Sequence, residues 1–434
     1  MRRAQALAAR RAAAAERLSR GDLPKGGAWI MAARENALER LHRMGLPARR
    51  DEYWRFTRPD TLIAAQAAPV PLMVDEDAPQ FGELDRLNLV FVDGVLNVAQ
   101  SDALAMENVE ITTLEQAATQ DIHWARELFG VLEAQGQAPV ERPLAALNTA
   151  TATQGLLIRV TGRAPRPISL TYLRSDEAGD GVVHHVIRLE KGAELTLLES
   201  GPAAARLSQV IEVDVADGAR FNHIRTQGRD HGRRALTHLF ARIGAEASFK
   251  SFSLTVNGAL TRNEYVITLE GDESHATVSG AVAGDGNDGA FHQDDTVFIT
   301  HAGARCESRQ VFKKVLRNGA TGVFQGKILV RQGAQKTDGY QISQALLLDE
   351  DSQFLAKPEL EIHADDVACS HGATVGAIDE DALFYMISRG VPRRQAQDML
   401  VLAFLSEALD EIDDEAIRDD IRSRLELWVE RHSR

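Results

Sequence analysis

The sequence predicts a mainly β protein in which short strands coil into a stacked solenoid between helical ends. Three observations carry this: a near-constant period of strand, glycine turn and strand; alternation of apolar and polar residues within those strands; and a change to helical spacing at both ends of the chain. The turn glycines Gly192, Gly218, Gly244 and Gly271 lie 26, 26 and 27 residues apart. Val186–Lys191, Val210–Ala216, Leu239–Ile243 and Tyr265–Glu270 lead into them. Glu194–Leu198, Arg220–Arg225, Phe249–Val256 and His275–Val282 follow. Gly303 and Gly333 extend the period less regularly, by 32 and then 30 residues. Such units bury an apolar face only by stacking on neighbours. An antiparallel sandwich with evenly spaced hairpins gives the same alternation, so periodicity leaves that alternative open.

The helical ends follow from composition. Ala4–Leu18 is rich in helix formers, Gly21–Gly27 is a break around Pro24, and Trp29–Met44 resumes helical spacing until Gly45 and Pro47. Leu89–Val92 and Val95–Val98 flank Asp93-Gly94, a dipeptide suited to a type I′ hairpin turn. At the other end Asp379 caps Glu380–Ser388, Gly390 suits its exit, and Pro392 opens a new helix. Ala396, Met399, Leu400, Ala403 and Phe404 share one face of that helix. Ile417, Ile421, Leu425 and Trp428 share one face of the next, which either packs on its own domain or docks another protein. The expected organisation is an N-terminal helical region (1–80), a connecting α/β segment (81–150), a coil core (151–375) and a C-terminal helical domain (376–434).

The chain has 434 residues, enough for a sizeable core, and 49 Lys plus Arg against 63 Asp plus Glu give a net charge of −14. Such a surface repels phosphate backbones, so nucleic acid is not an expected partner. Two cysteines, Cys306 and Cys369, are too few for a disulfide framework, and a reducing cytoplasmic setting is expected. No apolar run is long enough for a membrane span. The basic start Met1-Arg2-Arg3 lacks the apolar stretch of a secretory signal.

Gly326-Lys327 has the wrong glycine spacing for a phosphate loop, and Ile328 replaces the hydroxyl residue that would hold magnesium. The chain is therefore expected to bind no nucleotide itself. The G-x-S-x-G and H-E-x-x-H hydrolase signatures are also absent. The densest chemistry lies in Ala364–Thr374, where, on an extended strand, Cys369 and His371 project from one face. Thiolate and imidazole suit iron or zinc, but two ligands make half a site, which distant residues or a second chain must complete. The alternative is a buried thiol beside a hydrogen-bonded imidazole. Cys306 has Arg305 beside it to favour a thiolate but is expected to be structural, and His292, Gln293, Asp294, Asp295 and His301 offer alternating metal ligands but are expected to form a solvated or capping polar cluster.

The runs Phe324–Val330, Ala334–Asp338, Pro358–Ile362, Asp365-Asp366-Val367, Cys369–Thr374, Leu383-Phe384-Tyr385 and Ser388-Arg389-Gly390 closely resemble the SufB/SufD family of iron-sulfur cluster assembly proteins. Weaker similarity extends through Ala145–Ala150 to Glu52–Thr57. The SufB paralogues typically carry Glu where this chain has Gly372, and Cys where it has Ile342, so both departures place it on the SufD side of the family.

The resemblance implies a right-handed parallel β-helix core and a non-catalytic scaffold role in a complex with a SufB-like paralogue and a SufC-like ABC ATPase. A transient iron-sulfur cluster, or iron, would be built where the two cores meet. It implies His371 as a ligand with Cys369 as its nearby thiol, and it favours ATPase docking on the C-terminal helices, for which Ile417, Ile421, Leu425 and Trp428 are the expected face. The rival expectations are a stand-alone β-helix enzyme acting on polysaccharide, with Asp294, Asp295, Arg305 and Lys313 in its groove, or a purely structural subunit.

Overall fold

In the computed structural model the residues described are 2–19, 23–73, 79–228, 230–287 and 289–432, so part of the expected break at Gly21 lies outside them. The core is a β-solenoid with helices at both termini. Each coil contributes one strand to each of two parallel sheets. One sheet runs from Leu87–Val92 through Ile168–Leu173, Glu194–Ser200, Arg220–Gln227, Ser248–Val256, His275–Asp285, Glu307–Arg317 and Asp338–Leu347 to Ala368–Gly376. The other runs from Leu156–Val160 through Asp180–Leu189, Arg206–Val215, Arg234–Ile243, Leu260–Leu269, His292–His301 and Thr321–Val330 to Gln353–Ile362. Adjacent coils pair parallel and in register, as in His238 opposite Val210 on one side and Glu264 on the other, which excludes the antiparallel sandwich.

The glycine period is real, but its physical reason changes along the chain. Gly192 and Gly218 adopt φ of +70° and +67°, where a β-carbon is disfavoured. In later coils the left-handed position passes to Glu246, Glu273 and Arg305, each two residues after a turn glycine. Gly271 is then required by close approach, since a β-carbon there would lie 2.0 Å from the Ala245 backbone nitrogen. The turns stack by their own hydrogen bonds, from Gly218 N–H to Ala245 at 2.8 Å and from Glu246 N–H to Asp272 at 2.9 Å.

Period-two alternation sorts each strand between the lumen and an outer face. Leu195, Leu197, Phe221, Phe249, Ile211, Leu239 and Tyr265 fill the lumen. Leu198, Ile224, Phe252 and Leu254 face outward from the first sheet, beneath the C-terminal helices. Val186, Val210 and Phe240 face outward from the second, beneath N-terminal helices and a turn that supply Ile30, Leu132 and Phe129. Charges stitch this second layer down. Arg142 Nε donates to Glu264 at 2.9 Å, Arg262 lies 4.2 Å over the Trp54 ring, and the Thr57 hydroxyl donates to Asp294.

The two ends of the solenoid differ. At the start, Val95–Leu96 and Val109–Thr113 pair antiparallel with the first strands and are the outermost strands there, with Asp93 and Gly94 at φ of 51° and 80° as the hairpin turn requires. At the other end Gln353–Ile362 and Ala368–Gly376 are the outermost strands of both sheets, and every residue in them is at least partly exposed.

The expected C-terminal caps are present. The Asp379 carboxylate accepts from the Asp381 and Ala382 backbones at 2.9 and 3.0 Å, and helices follow over Glu380–Ser388, Arg393–Ser406 and Glu415–His432. Among the described residues no helix is long and apolar enough to cross a membrane.

Candidate functional site

The candidate site lies on the open terminal coil. In Ala368–Gly376, Cys369 stands opposite Gly339 and His371 opposite Gln341 of the preceding coil. Cys369 and His371 are two residues apart on one strand and therefore share a face. A β-carbon on Gly339 would come within 3.2 Å of the Cys369 sulfur, so glycine at that position makes the room in which the thiol sits. Cys369 is half-buried against a small apolar cluster containing Ile328, Val330 and Ala364, whereas His371 is exposed.

Burial pushes the Cys369 thiol pKa up, and the Asp338 charge adds to this, while the Gly339 backbone N–H acts in the opposite direction. The unliganded group is a neutral thiol at neutral pH, and a metal must displace its proton on binding. Behind His371 the row continues inward as polar side chains. Gln341 is fully buried, and its Nε2 donates to Gln310 Oε1 at 2.7 Å. The site is thus an exposed imidazole and a semi-buried soft sulfur on one raw edge. Gly372 has room for a side chain, because a β-carbon placed there would meet nothing nearer than Ile342 Cγ1 at 3.9 Å, so the lack of a carboxylate at this position is not a steric necessity.

Among the described residues no group of three or more His, Cys, Asp or Glu side chains is placed to hold a metal. His292, Asp294, Asp295 and His301 are not one cluster, and only His292 and Asp294 meet, at the Thr57 hydroxyl, which lies 2.9 Å from His292 Nε2. Asp294 faces outward to Arg262 and Thr57, Asp295 faces the lumen with Lys314 Nζ at 2.6 Å, and His301 Nε2 meets Ser308 Oγ at 2.8 Å. The polysaccharide groove therefore fails, since Asp294 and Asp295 are fully buried, Lys313 pairs with Glu407 and Arg305 pairs with Glu273. Cys306 is buried, with its sulfur 3.3 Å from Ser274 Oγ and donating to the Gly271 carbonyl at 3.2 Å, an internal structural position.

One expectation needs correction. Ile417, Ile421, Leu425 and Trp428 share a helix face, but all four are buried in this chain, 0 to 6% exposed, against the outer face of the first sheet together with Val401 and Leu405. Helical spacing reports an apolar stripe and not what covers it. The most exposed large apolar side chains of the C-terminal helices are instead Phe384, Tyr385 and Met399, which are 73, 59 and 48% exposed.

Sequence reasoning also missed a buried ion cluster in the lumen. Glu199 accepts from Arg225 Nε at 2.8 Å and from the Tyr172 hydroxyl at 3.0 Å, and it lies 2.8 Å from His223 Nε2. Its signal was available, since Glu199, His223 and Arg225 occupy inward positions that continue the apolar Leu195, Leu197 and Phe221 along the same strands.

Residues 173–404 match the family model described as SUF system FeS cluster assembly, SufBD core domain. The iron-sulfur cluster assembly protein SufD of Escherichia coli strain K12 is 29% identical over 402 residues, covering 89% of this chain and 90% of that protein. An iron-sulfur cluster assembly SufBD family protein of Synechocystis is 27% identical, with 87% and 86% covered. The chloroplastic protein ABCI7 of Arabidopsis thaliana is 24% identical, with 93% and 86% covered. Because the family match runs through more than half of the chain, across the same coils whose stacking was described above, the chain belongs to the SufBD family of the SUF iron-sulfur cluster assembly system.

Proposed function

We propose that this chain is a non-catalytic scaffold subunit whose open coil meets the coil end of a SufB-like paralogue, and that iron or a nascent cluster is held at the seam with His371 and Cys369 as this chain's donors. The supporting observation is that both sheets end unpaired on the coil that carries these two residues. Unpaired strand edges are templates for another chain, and two donors require others to complete a metal's coordination. A SufC-like ABC ATPase would supply nucleotide energy by docking on the C-terminal helical domain through Phe384, Tyr385 and Met399, in a reducing cytoplasm.

The test is co-expression with the two partners, anaerobic purification, and iron and sulfide analysis. His371→Ala and Cys369→Ala are expected to leave the subunit ratio unchanged while weakening iron retention by about tenfold or more. Unchanged iron and sulfide in both variants would remove these residues from the site. A separate variant, Phe384→Asp, places a charge on the exposed helical patch. It is expected to weaken ATPase capture by about tenfold, as loss of a buried aromatic anchor does, without lowering the melting temperature. Undiminished capture would exclude that patch.

A further inference from the structure

The segment Glu52–Thr57 leaves the N-terminal region and crosses the outer face of the second sheet at its open end. Tyr53 is its anchor. The ring is buried, meets Phe298 edge-on at 5.0 Å, and lies under Lys357 Nζ at 4.0 Å, while its hydroxyl donates to Glu359. The Tyr53 carbonyl accepts from Gln325 Nε2 at 3.3 Å, and Glu52 pairs with Lys357 at 2.7 Å. Phe298, Gln325 and the Lys357–Glu359 pair lie on the last three strands of this sheet. The segment therefore spans from covered coils onto the outermost strand, more than 300 positions away in sequence.

Gln353–Ile362 needs such support, since it has a ladder partner on one side only. An outermost strand with few buried contacts frays at lower free energy than the coils behind it. Burial and the Glu359 charge both push the Tyr53 hydroxyl pKa up, so it remains a donor throughout the accessible pH range. The Glu52–Lys357 pair is exposed on the Glu52 side and adds little.

We propose that Glu52–Thr57 is a positioning strap that fixes the terminal coil, with Tyr53 as the residue that sets the strand Gln353–Ile362 and, through the turn that follows it, the strand bearing Cys369 and His371. The strap's relevance to cluster assembly rests on the function proposed above, but its test uses no iron, so the two ideas fail separately.

In the full-length chain, hydrogen exchange resolved by segment is compared for wild type, Tyr53→Ala and Tyr53→Phe. Tyr53→Ala is expected to speed exchange in 353–362 and 368–376 by about tenfold, while the central strands Arg206–Val215 and Arg234–Ile243 exchange as before. Tyr53→Phe keeps the ring between Phe298 and Lys357 and is expected to recover part of the protection. Unchanged exchange in the terminal strands, an equal rise in the central coils, or no recovery with Phe overturns the proposal.

Discussion

Arg225→Met is expected to destabilise the fold by about 3 kcal/mol or more, the cost of leaving a buried charge without its partner. Arg225 and Glu199 are opposite each other on adjacent strands and both are almost fully buried. Arg225 holds the Glu199 carboxyl well below the ordinary carboxylate range against the upward push of burial, and His223 assists. Met fills the volume but provides no cation. The carboxylate then keeps the neutral donors Tyr172 and Gln209 and lies beside His223, whose charged form burial disfavours. The loss is read as a lower urea midpoint at unchanged denaturant slope. Replacing both partners, Glu199→Gln with Arg225→Met, is expected to recover much of it, because an uncharged pair leaves no stranded ion. If the single variant unfolds at the wild-type midpoint, the ion pair contributes nothing.

Acidification from pH 6.5 to 4 is expected to produce the other large effect. Burial lowers the pKa of His185, His238 and His301 to about 4 in the folded chain. The geometry of His185 agrees, since its Nδ1 accepts from the Leu156 backbone N–H at 3.1 Å and must carry no proton. A histidine with a depressed folded pKa is protonated first in the unfolded chain, so its contribution is full above pH 6.5 and is lost as pH falls through 4. Each amounts to about 3 kcal/mol.

Glu133 acts with the opposite sign. Burial raises it to about 7 even beside Arg40, so the stability it contributes is lost as pH rises through that value. Three histidines outweigh one carboxyl, and the melting temperature is expected to fall over this window. His301→Gln keeps a polar contact for Ser308 and is expected to make the fall shallower. A melting temperature that is flat with pH, or a slope unaffected by this substitution, would show that these rings do not govern it.

The coil repeat was legible because stacking imposes a fixed chain length per turn, and glycine marks where that length closes. The open end was not legible as such. Strands Gln353–Ile362 and Ala368–Gly376 carry the same alternation as their covered predecessors, and nothing in a local pattern tells which coil is last. Cys369 and His371 were readable as a same-face pair because spacing of two has one meaning on a strand. The Ile417–Trp428 stripe illustrates the limit: a helix reports which face is apolar, while only tertiary structure reveals that Leu198, Ile224 and Phe252 already occupy it. The Tyr53 contacts were invisible for a related reason, since no local signal links residue 53 to residues 357 and 359.

The antiparallel strands at the start of the solenoid carry a consequence for where any assembly can grow. The tip they form offers two short antiparallel edge strands, whereas the opposite tip offers two longer parallel ones, so a coil stacked in parallel from a second chain finds a matching ladder only at the latter. End-to-end growth through these sheets is thereby biased toward one tip, a bias that needs neither charge nor proline along the edge.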